Sequence, residues 1–107
     1  MDESQLLKGI LEGCVLKIIS QEETYGYDII LKLSDAGFKN IIEGTLYPIL
    51  SRLEKKAFIQ CRKAKSPLGP TRKYYSITQL GINHLEEYLT MYQNIIQISN
   101  QILFNKS

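Results

Sequence analysis

Apolar positions at the start of the chain recur at helical spacing. Leu7, Ile10, Leu11, Cys14, Val15 and Ile18 fall at three- and four-residue steps and predict a helix over about 5–20. Leu6, Leu16 and Ile19 widen its apolar face enough for burial on more than one side. A polar break follows at Gln21–Thr24, where Thr24 is a candidate N-cap for a second helix over roughly 25–36. Ile29, Ile30 and Leu33 face inward in that helix, and Gly37 is placed to stop it. Residues 38–44 connect to a third helix over about 45–56, with Thr45 as N-cap, Pro48 in the first turn and Leu46, Ile49, Leu50 and Leu53 as the inward stripe.

The period then changes from helical to alternating. Ile59 and Cys61 alternate with Gln60 and Arg62, and Tyr75 and Ile77 with Tyr74 and Ser76, which predicts strands over 58–62 and 72–77. The intervening KAKSPLGPT carries Pro67, Gly69 and Pro70 and reads as the irregular, basic tip of a long hairpin. Thr78 caps a last helix reaching about residue 104. Two apolar stripes run along it: Leu85, Leu89, Tyr92, Ile96, Ser99 and Leu103, and beside them Tyr88, Met91, Ile95, Ile98 and Ile102. One stripe covers the first helix. At about 1.5 Å per residue the helix is roughly 40 Å long and outruns a core of this size. The second stripe therefore calls for a partner, most simply a second copy, unless the first helix alone covers the whole of it. The pattern predicts a mainly α fold with a small β-hairpin, divided into residues 1–77 and a C-terminal dimerisation helix over 78–107.

A chain of 107 residues holds one domain, or one domain with an appendage, and is too short for a barrel or a complete dinucleotide-binding fold. No stretch of 18 apolar residues is present to span a membrane. The start, MDESQLLKG, is acidic and lacks the basic region of a signal peptide, so the expectation is a cytoplasmic protein without membrane partners. Cys14 and Cys61 then read as thiols and not as a disulfide.

The net charge of +2 conceals a strong asymmetry. Residues 1–38 carry 3 basic and 7 acidic side chains, residues 39–75 carry 9 and 2, and residues 76–107 carry 1 and 2. The positive charge is concentrated in the third helix and the hairpin, which points to a polyanion as partner. Enzyme chemistry finds no support in the residues. His84 stands alone beside Glu86 and Glu87 and reads as a surface histidine. No metal-ligand spacing, phosphate loop or nucleophile–base pair is visible, and no cofactor or metal is expected.

The order helix, helix, helix, strand, basic hairpin, strand is that of a winged helix-turn-helix, whose second motif helix enters the major groove while the hairpin wing follows the backbone or minor groove. The runs YGYDI (25–29), EGTLYPILSRLEKKAFI (43–59) and GPTRKYYSIT (69–78), with Gly81, resemble the PadR family of bacterial transcriptional regulators. The resemblance spans about residues 5–105 and fits the compact branch of that family with one C-terminal dimerisation helix.

This resemblance implies a homodimeric repressor that binds double-stranded DNA at an inverted-repeat operator and leaves it when a small molecule binds. It implies recognition-helix contacts from Thr45, Tyr47, Ser51 and Arg52. Tyr25 and Tyr27 would open the supporting helix, one of them near the DNA backbone, and Lys65, Arg72, Lys73 and Tyr74 would be wing contacts. Leu85, Leu89, Tyr92, Ile95, Ile96 and Leu103 are the candidate dimer residues. Some compact members hold flat aromatic drugs between protomers against a tryptophan of the last helix. This chain has no tryptophan, and Tyr92 stands at the matching place with Tyr88 and Met91 one turn earlier, a smaller stacking face.

Other readings stay open at this point. Tyr47 can pack under the wing, and Tyr92 can be an ordinary seam residue. Tyr75 and Ile77 belong to the core, and Arg72 or Lys73 can pair with Glu43 or Glu54. The runner-up function is a winged-helix protein-interaction module without specific DNA binding. A further alternative keeps DNA binding but makes the protein an activator or a redox sensor through Cys61.

Overall fold

The structure is a computed structural model and describes residues 3–105. Asp2 in the acidic start and Lys106, which supplies the only basic charge counted in the last third, lie outside the described residues. The elements run α1 (Glu3–Gln21), β1 (Thr24–Tyr25), α2 (Gly26–Ala36), α3 (Glu43–Lys55), β2 (Ile59–Lys65), β3 (Thr71–Ile77) and α4 (Gln79–Leu103). This is the predicted mainly α fold, a winged helix-turn-helix followed by one long helix.

Its core follows the predicted stripes except in α1, where Leu16 and Ile19 are buried with Leu11 and Val15 while Leu7, Ile10, Cys14 and Ile18 are half-buried and Leu6 is exposed. Leu11, Val15, Leu16 and Ile19 of α1 meet Ile29 and Leu33 of α2, Leu46, Ile49, Leu50 and Leu53 of α3, Ile59 of β2, Tyr75 of β3 and Leu85 of α4. Burial of α1 on several sides follows from its broad apolar face, since α2, α3, β3 and α4 all pack against it. The molecule measures 55 × 30 × 20 Å. The 25 residues of α4 span about 37 Å, and only Gly81 and Leu85 near its start are buried, so most of the helix extends beyond the core.

Several boundaries differ from the sequence expectation, each for a physical reason. Thr24 is not an N-cap. With Tyr25 it forms a short strand that pairs with Tyr75 and Tyr74, so the sheet has three antiparallel strands in the order β1-β3-β2. The Thr24 hydroxyl is buried and donates to Asp28 Oδ2 at 2.6 Å, and this bond holds the Asp28 carboxyl below the usual carboxylate range. Thr45 is not a cap either. α3 starts two residues earlier behind Ile42, whose extended backbone (φ −119°) has no capping side chain. Glu43 in the first turn suits the positive end of the helix dipole. Pro48 consequently falls in the second turn and not the first, where it cannot donate to the Gly44 carbonyl.

The wing is more regular than its composition suggests. Lys63, Ala64 and Lys65 belong to β2, and only residues 66–70 form the turn, closed by Gly69 N–H to the Ser66 carbonyl. The stop at Gly37 is as predicted, with φ 120° and its N–H bonded to the last turn of α2. Thr78 caps α4 as predicted, accepting from Gly81 N–H at 3.0 Å. Its hydroxyl also donates to the Ala57 carbonyl at 2.6 Å, which ties the start of α4 to the end of α3.

Candidate nucleic-acid interface

α3 buries Leu46, Ile49, Leu50 and Leu53 and thereby turns Tyr47, Pro48, Ser51 and Arg52 outward. Its two flanks are different clefts. On the wing side a cleft of about 450 Å³ is lined by Tyr25, Gly26 and Tyr27 from the start of α2, Tyr47 from α3, and Arg72, Lys73 and Tyr75 from β3. Five predicted contact residues that lie far apart in sequence therefore meet at one place. Tyr47 is 46% exposed, so it is not packed away under the wing. Its hydroxyl rests over Gly26, where a methyl group would be crowded at 3.1 Å. Tyr75 is buried beside the cleft, and that burial pushes its phenol up to about 12.

The other flank of α3 is a cleft of about 410 Å³ between α1, the 37–42 connection and α3. Thr45 and Arg52 line it, together with Lys8 and Lys39. Those two lysines were not singled out from sequence. Lys39 lies in the basic segment, whereas Lys8 lies in the acidic first third, so charge counting hides it. Ser51 is exposed on α3 and lines neither cleft. Arg52 is engaged: its Nε stands 3.5 Å from Glu12 Oε1 of α1, a buried oxygen with no hydrogen-bond partner among the described residues.

The wing concentrates like charge. Lys63 is directly opposite Lys73, an arrangement that repels across a strand pair. Alternation puts Lys65 on the same face. Among the described residues no carboxylate lies within ion-pair distance of Lys63, Lys65, Arg72 or Lys73. Glu43 and Glu54 do not neutralise them. The acids that do act come from the first third of the chain, Glu12 on Arg52 and Glu23 on Arg62. Tyr74 does not line the cleft; with Arg72 it lies on the face of the hairpin opposite Lys63, Lys65 and Lys73, between Arg62 and Tyr25. An anion entering the wing-side cleft would meet Arg72 and Lys73, aromatic hydroxyls and the start of α2, with the Glu43 carboxylate of α3 also on its wall.

The candidate dimer and effector residues divide along α4. Leu85 is only 6% exposed and belongs to the chain's own core, so it presents no surface to a second copy. Leu89, Tyr92, Ile95 and Leu103 are exposed and Ile96 is half-buried. Tyr88 and Tyr92, stacked with ring centres 6.2 Å apart, line an apolar groove of about 510 Å³ with Leu89, Cys14, Ile18 and Phe38. Met91 is exposed outside that groove. Burial pushes the Cys14 thiol up, which disfavours the thiolate. Both cysteines are unpaired. His84 is not a bare surface residue, since its ring stacks on Phe58 at 4.1 Å. Among the described residues no group of three or more metal-ligating side chains is found, and no helix is long and apolar enough to cross a membrane.

The chain is similar to known proteins over nearly its full length. A crystal structure of a PadR-like transcriptional regulator from Bacillus cereus shares 47% identity, with a TM-score of 0.82 over 94% of this chain and 97% of that one. A transcriptional regulator from Streptococcus shares 43% identity, with a TM-score of 0.82 over 94% and 98% of the two chains. An uncharacterized protein of Lysinibacillus sphaericus is 34% identical over 100 residues, 92% of each chain. The model of the transcriptional regulator PadR-like family matches residues 15–87, from the middle of α1 through the wing into α4. The chain therefore belongs to the PadR-like family of transcriptional regulators.

Proposed function

We propose that this regulator is a homodimeric repressor that binds an inverted-repeat operator through α3 and the wing and releases it when a small apolar molecule binds. The observation that carries the DNA contact is the cleft in which Tyr25, Tyr27, Tyr47, Arg72 and Lys73 converge. α3 fits a major groove about 12 Å wide. One phosphate backbone then follows the wing-side cleft, met by Arg72, Lys73 and Lys65, and the other follows the cleft of Lys8 and Lys39. Thr45, Tyr47, Ser51 and Arg52 face the bases between them. Cations along both flanks of α3 favour DNA over a protein-interaction module, which has no need of a lysine pair opposed across the wing.

Residues 78–107 supply the dimer. Leu89, Tyr92, Ile95, Ile96 and Leu103 lie on the part of α4 that its own core leaves uncovered, and a second copy is the occupant of matching chemistry. The effector enters beside Tyr88 and Tyr92, where the groove is apolar and aromatic. Selection of binding sites from randomised duplex DNA tests this reading. The expected product is an inverted repeat with half-sites about one helical turn, roughly 34–36 Å, apart. Enrichment of single unpaired half-sites would contradict the dimeric arrangement, and no enrichment would contradict sequence-specific binding.

A further inference from the structure

A row of five side chains crosses the outer face of the sheet. Glu23 accepts two hydrogen bonds from Arg62, at 2.7 and 2.6 Å. These bonds hold the Glu23 carboxyl below its usual range. Arg62 is paired across the ladder with Tyr74, and its guanidinium lies 4.9 Å from the Tyr74 ring centre. Tyr74 is paired in turn with Tyr25, the rings meeting edge to face with centres 5.8 Å apart and planes inclined at 71°. Arg72, two positions before Tyr74 and on the same face, places its guanidinium 4.1 Å from the Tyr25 ring centre.

The two wing arginines consequently have different chemistry. Both arginines lie on this one face of the strand pair, but Arg62 spends its charge and two donors on Glu23. Arg72 meets only the face of a ring, which attracts a cation without neutralising it. A guanidinium stacked in this way keeps its N–H groups at its edge, where phosphate oxygens are recognised. It also has less side-chain freedom to lose on binding. Tyr25 and Arg72 both line the wing-side cleft next to Tyr47.

We propose that Tyr25 is a positioning residue: its ring, braced by Tyr74 and the Glu23–Arg62 pair, holds the Arg72 guanidinium in the cleft for a DNA phosphate, and its hydroxyl does not contact the DNA. The inference rests on the DNA-binding reading above. It also gives Arg62 a bracing role in place of a phosphate contact.

The test is titration of the selected duplex at several salt concentrations with the full chain, Tyr25→Phe, Tyr25→Leu, Arg72→Ala and the Tyr25→Leu/Arg72→Ala double variant. Tyr25→Phe keeps the ring and should bind like the unaltered protein. Tyr25→Leu should bind roughly two- to fivefold more weakly. Arg72→Ala should lower the salt slope by about one. The double variant should be no weaker than Arg72→Ala alone. A Tyr25→Leu loss that persists undiminished beside Arg72→Ala would overturn the proposal, as would a Tyr25→Phe loss equal to that of Tyr25→Leu. Nuclear magnetic resonance of the DNA-free protein supplies a second reading. The Arg72 side-chain methylene signals should be shifted upfield by the Tyr25 ring, retain that shift in Tyr25→Phe and lose it in Tyr25→Leu. No upfield shift in the unaltered protein would overturn the stack itself. A normal shift without salt-dependent DNA binding would instead defeat the DNA-binding reading, and this proposal with it.

Discussion

The ring of Tyr88 in α4 lies directly against Gly13 in α1, and its hydroxyl donates to the carbonyl of Gly9, one turn earlier, at 3.0 Å. A Cβ at Gly13 would overlap that ring, whereas a Cβ at Gly9 would meet nothing within 4 Å. Two glycines of one helix therefore predict opposite responses. Gly9→Ala should stabilise the protein by about 0.5–1 kcal/mol through helix propensity. Gly13→Ala should destabilise it by roughly 1–2 kcal/mol, because overpacking exceeds the same propensity gain. Urea unfolding at fixed protein concentration checks both, and shifts of the same sign would contradict the packing of α4 on α1.

Ala57 ends α3 with a φ of 62°, in the left-handed region, with its N–H bonded to the Glu54 carbonyl and the Phe58 N–H to the Leu53 carbonyl. This is a Schellman ending with a Cβ where glycine is preferred. Ala57→Gly should stabilise by about 0.5–1 kcal/mol in the same measurement.

Tyr75 makes the fold sensitive to alkali. Its folded value of about 12 lies above its ordinary value of 10, because burial disfavours the phenolate. For a group raised in the folded state, the stability it contributes is complete below the ordinary value and is lost as pH rises towards the folded one. Stability should therefore fall between about pH 10 and 12. Tyr75→Phe should flatten that fall, and ultraviolet titration of the phenolates should lose its latest phase.

The dimer is tested where α4 leaves its own core. Ile95 is 55% exposed and Ile96 half-buried, on adjoining stripes. Ile95→Lys or Ile96→Lys should bury an unpaired charge at the seam and shift sedimentation towards the monomer. Unchanged dimers for both variants would remove this surface from the interface.

Periodicity made the helices and the hairpin legible because each buries one continuous apolar stripe. β1 was not legible, since two residues carry no alternation, and Thr24 before a helical run has the local signature of a cap. The same local signature misplaced the start of α3 at Thr45, where an extended Ile42 without a capping side chain does the work. Within the candidate site, the basic segment located the wing and Tyr47. It could not reveal that Glu12 and Glu23, from the acidic third, reach across to Arg52 and Arg62. Nor could it show Lys8 joining Lys39 beside α3, because those contacts exist only once α1 has packed against α3.

The central claim is that α3 and the wing hold DNA through phosphate-neutralising cations and read bases through α3. It is tested most directly by the affinity for the selected operator and for random duplex as salt is varied. The logarithm of the binding constant should fall linearly with the logarithm of salt concentration. Lys73→Ala should weaken both duplexes alike and lower the slope by about one. Ser51→Ala should leave the slope unchanged while narrowing the gap between operator and random DNA. A binding constant indifferent to salt, or an Arg72→Ala and Lys73→Ala pair that leaves the slope untouched, would contradict the account.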